Sequence, residues 1–134
     1  MTGDEFNAFC GSLPAASHVV QWGDSDVWKV GGREDGKVFA ICGWHYGDEP
    51  AFTFKVSEMA FEMLKGEPGL RPAPYLASRG LKWIQHYALP GLDDDALRDY
   101  LRASHRLAAA NLTKKRQREL GLMPDDAVPS RAER

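Results

Sequence analysis

The chain has 134 residues, 43% of them hydrophobic and 27% charged, which fits one ordinary globular domain and excludes collagen, coiled coil and wholesale disorder. Its net charge of −2 argues against an indiscriminate nucleic-acid binder, which is basic overall. The longest apolar run, Val38–Gly43, falls far short of the ~18–20 residues of a membrane-spanning helix.

The first segment, Thr2–Leu13, reads as a helix. Thr2 and Glu5 fit a capping box, in which hydroxyl and carboxylate each take an otherwise unpaired amide. Phe6, Phe9, Cys10 and Leu13 recur at helical spacing, and Pro14 ends the run. Met1–Cys10 holds two acids, no base and no long apolar core, so no secretory signal is read there and a cytoplasmic location, away from membranes, is expected. Cys10 and Cys42 read as free, buried thiols.

Short strands follow, separated by Gly- and Asp-rich punctuation: His18–Trp22, Val27–Val30, Lys37–Gly43 and Ala51–Val56. In the last of these Phe52, Phe54 and Val56 fall on one face and Thr53 and Lys55 on the other, the pattern of an antiparallel sheet covered on one side. Ser57 reads as the N-cap of a helix over Glu58–Lys65, closed by Gly66 and Pro68. Gly69–Gly80 reads as an ordered loop around Pro72, Pro74 and Tyr75, and Lys82–Ala88 as another strand. A long helix is expected from Asp93 to Asn111 or beyond. Asp93, Asp94 and Asp95 suit its start, and Lys114, Lys115, Arg116 and Arg118 its end. Leu97, Tyr100, Leu101, Ser104, Ala108 and Leu112 form its apolar stripe.

The order helix, strands, helix, strand, helix predicts an α+β domain, an antiparallel sheet with helices packed on one face. Residues 1–117 read as the domain, and residues 118–134 as a polar tail.

Few residues suggest catalysis. There is no Gly-rich phosphate loop and no Gly-x-Ser-x-Gly elbow. Ser104 and His105 are adjacent on a helix and point about 100° apart, so they do not pair as nucleophile and base. Cys42-Gly43-Trp44-His45 lacks the paired spacings of a zinc site. The expectation is therefore a protein that is not an enzyme and carries no metal or cofactor. What remains is charge distribution. Residues 1–67 hold five basic and eleven acidic side chains, residues 68–134 twelve and eight. A chain polarised in this way still presents a positive face. Lys29, Arg33, Lys37, Lys55 and Lys82 fall on strands or turns, interleaved with Trp28, Phe54 and Trp83, as phosphate-holding and stacking residues do.

The ordered set Phe6–Pro14, Val20-Gln21-Trp22-Gly23, Val27-Trp28-Lys29-Val30, Lys37-Val38-Phe39-Ala40, Phe52-Thr53-Phe54-Lys55, Gly69–Leu76, Lys82-Trp83-Ile84 and Ala103–Leu107 resembles the MmcQ/YjbR family of small bacterial proteins. It departs in having His105 where many relatives have tyrosine, and Glu34 and Asp35 in the turn before Lys37. The resemblance implies a CyaY-like (frataxin-like) fold and a double-wing arrangement that contacts double-stranded DNA through its sheet. A monomeric, non-enzymatic DNA-binding protein is then expected. Lys29, Arg33, Lys37, Lys55 and Lys82 would contact phosphates through the exposed sheet face and wings, with Trp83 or Trp44 stacking. The alternative is a small-molecule or protein-interaction domain whose pocket is framed by Trp28, Arg71, Tyr75 and Trp83.

Overall fold

The computed structural model describes residues 1–44, 48–76 and 79–122, so His45 and residues 123–134 lie outside the described residues. The elements in chain order are α1 (Gly3–Gly11), β1 (Ala16–Gln21), β2 (Ser25–Val30), β3 (Lys37–Cys42), β4 (Phe52–Lys55), α2 (Glu58–Leu64), β5 (Leu70–Pro72), β6 (Trp83–His86), α3 (Asp94–Ala109) and α4 (Lys114–Glu119). The caps expected from sequence form. Thr2 and Glu5 make the capping box of α1, Ser57 Oγ accepts from the Ala60 amide, and the Asp93 carboxylate accepts from the Ala96 amide.

The six strands form one sheet in the order β1-β2-β3-β4-β6-β5, every neighbouring pair antiparallel. Trp28, Ala40, Phe54 and Ile84 line up across it, and Cys42, Phe52, His86 and Leu70 make the next row. This face packs with Phe6 and Cys10 of α1 and Leu97, Leu101 and Ala108 of α3 into one core. Phe6 stacks on Phe52 at 4.9 Å between centroids, and the Trp28 indole N–H donates to Asn7 Oδ1 at 2.9 Å.

A bulge locks α3 to the sheet. Trp28 pairs with Ala40 but Lys29 with Val38, so Phe39 is the extra residue and turns its ring toward His105. Ser104 Oγ donates to the Phe39 carbonyl at 2.6 Å and accepts from the Lys55 amide at 2.8 Å. One helical hydroxyl thus satisfies two backbone groups just beyond Ala40↔Phe54, the end of the β3–β4 ladder.

His105 shares this interface. Its Nε2 lies 2.7 Å from the Pro14 carbonyl, which can only accept, so Nε2 carries the proton and the neutral ring is well placed. Burial holds its pKa below the usual 6.5. The folded protein therefore resists a proton that the unfolded chain takes up, and stability is full above about pH 6.5 and falls as pH drops through that value. Urea midpoints are expected to fall between about pH 7.5 and pH 5.5, with a shallower slope in His105→Gln; an identical slope in both would remove His105 as the cause.

Three expectations are corrected. The face opposite the helices was expected to be exposed, but its central row Val27, Ile41, Thr53 and Gln85 is no more than 1% exposed. The Trp44 segment lies over it, its carbonyl accepting from the Gln85 side-chain amide at 3.0 Å. The loop expected over Gly69–Gly80 contains β5, a three-residue edge strand that pairs with β6. The long last helix is two: α3 stops at Ala109, and Thr113 caps α4 by accepting from the Arg116 amide. Gln117 is buried and donates back to the Leu112 carbonyl at 2.7 Å. The boundary drawn after residue 117 thus falls inside α4.

Candidate functional site

The turn between β2 and β3 is the first place where basic residues gather. Gly31 and Gly32 both take φ values near +100° and beyond, which side chains rarely tolerate. The Gly36 amide closes the turn on the Gly32 carbonyl at 3.1 Å. Arg33, Glu34, Asp35 and Lys37 are left exposed. Lys29 folds over the turn and its Nζ donates to the Arg33 carbonyl at 2.9 Å, so it braces the turn.

The base of this turn receives α4. Leu112 lies so close to Gly31 that a Cβ there would meet its Cδ1 at 3.0 Å, and the Arg116 guanidinium donates to the Gly31 carbonyl at 3.2 Å. Lys114, Lys115 and Arg118 are exposed on the docked helix. They join Arg33 and Lys37 at one end of the molecule, against Glu34, Asp35 and Glu119. In the sequence these cations looked like dipole partners of a long helix; only the chain reversal before Thr113 brings them to the turn.

The other predicted residues lie apart. Lys55 is half-buried on the second face of the sheet, directly across from Trp83 and about 10 Å, two strand spacings, from Lys29. Lys82 places its Nζ 4.9 Å from the centre of the Phe61 ring on α2. Trp83 is only 8% exposed. The residues of the alternative pocket divide between the two faces. Trp28 is turned to α1 and lies against His18. On the second face, Arg71 donates from Nε to Gln85 Oε1 at 2.8 Å and stacks on Tyr87, while Tyr75 is 70% exposed.

A second cluster forms at the far end of β2. Trp22, Trp44 and Tyr75 come from three different turns and touch in a row, Trp22–Trp44 at 5.7 Å and Trp44–Tyr75 at 5.4 Å between centroids. Local packing fixes the middle member. The buried Ser25 hydroxyl donates to the Trp22 carbonyl at 3.2 Å, Gly43 sits where a Cβ would collide with that hydroxyl, and Gln85 holds the Trp44 carbonyl from below. Thr53, next to Gln85 in the same row, is fully buried with its hydroxyl unpartnered.

Among the described residues no group of three or more His, Cys, Asp and Glu is placed to hold a metal ion, and no helix is long and apolar enough to cross a membrane. Both cysteines are free. Burial pushes the Cys10 thiol far up, and burial with the nearby Asp26 charge pushes Cys42 up to about 11. Because the thiolate is the reactive form, iodoacetamide near pH 8 is expected to label both far more slowly than an unfolded-chain thiol of pKa ~8.5. Mass spectrometry before and after denaturation checks this; rapid labelling of the native protein would contradict it.

The model of the YjbR family matches residues 11–107. The chain belongs to the YjbR family. YjbR is not known as a family of enzymes. Among solved structures, this YjbR chain is similar to a Deinococcus radiodurans protein described as a DUF419 domain, with a TM-score of 0.79 and 25% identity over 91% of this chain and 89% of that one. A Pseudomonas syringae protein shares the fold, with a TM-score of 0.63 and 20% identity over 81% of this chain and 99% of that one. No curated protein matches.

Proposed function

We propose that this YjbR protein is a non-enzymatic, cytoplasmic DNA-binding protein that holds duplex phosphates with the β2–β3 turn and α4 together. The observation that carries the reading is the Arg116–Gly31 contact, which fastens a basic helix to the turn that carries Arg33 and Lys37. Arg33 and Lys37 from the turn and Lys114, Lys115 and Arg118 from α4 then act from one side, with Lys29 stiffening the turn. Lys55 flanks this end, whereas Lys82 is engaged with Phe61, and the buried Trp83 supports the sheet. The turn serves as a wing, its Glu34 and Asp35 pointing to modest affinity. Phosphate contacts position a protein without reading sequence, so the expected binding is largely sequence-tolerant.

The test is a fluorescence anisotropy titration with a short duplex at two salt concentrations. A dissociation constant of about 1–100 µM at low salt is expected, rising steeply with added salt as counterions are released. Absence of binding at tens of micromolar in low salt would overturn the proposal.

A further inference from the structure

We propose that the row Trp22–Trp44–Tyr75 is a second binding site, which takes an arginine or lysine side chain presented by a partner protein. Three observations carry it. First, the row is exposed although it is made of large aromatic rings: Trp22 is 50% and Tyr75 70% exposed, and Trp44 bridges them. Second, all three residues have left-handed backbones, with φ of +54°, +57° and +68°. Such values are unfavourable for bulky residues and concentrate at binding sites, where the surrounding structure enforces them. Here the enforcement is visible in the bonds from Ser25 to Trp22 and from Gln85 to Trp44. The backbones that carry Trp22 and Trp44 are thus held before any partner arrives.

Third, the charge around the row selects the partner. Asp24 follows Trp22 in the β1–β2 turn, and Asp48 and Glu49 follow Trp44 before β4; all three are exposed. Neither turn contains a lysine or arginine; the loop that carries Tyr75 contributes Arg79 and Lys82, of which Lys82 is turned to the Phe61 ring, and the Arg71 guanidinium is engaged with Gln85 and the Tyr87 ring. Carboxylates beside aromatic faces repel phosphate, so this end of the molecule does not suit a nucleic acid. A cation gains from both, through the ring quadrupole and the acidic rim. Trp22 and Tyr75 are half or more exposed, so a side chain on a partner protein, with further contacts around it, suits the row better than a free small cation.

The probe is a short glycine–arginine peptide, with its glycine–glutamine counterpart as control, followed by isothermal titration and tryptophan fluorescence. Saturable binding of the arginine peptide is expected, at least about fivefold weaker for the glutamine peptide and for the variants Trp22→Ala and Asp24→Asn. Asparagine tolerates the left-handed backbone of position 24, so Asp24→Asn keeps the test valid should Trp22→Ala unfold. The double variant Lys114→Gln/Lys115→Gln is expected to bind the peptide as the parent does, which separates this site from the DNA proposal. Equal affinity for both peptides, no saturation by millimolar peptide, or unchanged binding in Asp24→Asn would overturn the inference. So would loss of duplex affinity in a folded Trp22→Ala variant, since that would assign the row to nucleic acid.

Discussion

Replacing Ser104 with alanine is expected to lower the free energy of unfolding by about 2–4 kcal/mol. The hydroxyl is fully buried and holds the Phe39 carbonyl and the Lys55 amide at once. Alanine leaves both groups buried without a partner, each at a cost of about 1–3 kcal/mol. Size has little to do with it, because the change removes a single oxygen. Ser57→Ala serves as the comparison. It also removes one serine–backbone bond, but at an exposed helix start, where about 1 kcal/mol is the ordinary loss. Urea unfolding measures both. A Ser104→Ala variant no less stable than Ser57→Ala would mean that β3 and β4 re-pair their own backbone groups once the bulge is released.

The triple change Lys114→Gln, Lys115→Gln and Arg118→Gln is expected to weaken duplex DNA binding by about tenfold or more near 0.1 M salt. It should flatten the dependence of log K on log salt by up to about three units, roughly one for each phosphate that is no longer neutralised. These side chains are exposed, so stability should change by no more than about 0.5 kcal/mol per site. Lys82→Gln is the contrasting case. It removes a cation from the Phe61 ring and should leave DNA affinity and salt slope unchanged. Anisotropy titrations across a salt series separate the two. An unaltered slope in the triple variant would take α4 out of the interface and leave the turn alone as the candidate.

Local chemistry was legible in the sequence. The Thr2–Glu5 capping box, the Ser57 and Asp93 caps and the alternation of Phe52, Phe54 and Val56 depend on neighbours within a few positions, and each appears as read. The α3 stripe was legible for the same reason, since helical periodicity repeats the same signal several times. Features made by distant segments were not. β5 is three residues long and contains Pro72, and it is a strand only because β6 lies beside it. Thr53 is polar and alternates with apolar residues, so it looked solvent-facing, yet it is buried beside Gln85. Their burial depends on a segment more than forty residues from Gln85 in the chain folding over them. Among the site residues, Arg33 and Lys37 were identifiable by type and by their place in a turn. The grouping of Lys114, Lys115 and Arg118 with them depends on a helix break that a run of good helix formers concealed.

The turns at the two ends of β2 differ in sign. One carries Asp24, with Asp48 and Glu49 following Trp44; the other balances Arg33 and Lys37 with Glu34 and Asp35 and takes its positive sign from Lys114, Lys115, Arg116 and Arg118 of the docked α4. A six-residue strand keeps them about 20 Å apart. The domain is therefore a rigid electric dipole, and the field of a polyanion exerts a torque on it before any surfaces meet. In the proposed DNA binding it would be turned basic end first during the approach, so that orientation is largely settled by the time of collision and a larger share of encounters is productive than random tumbling would allow.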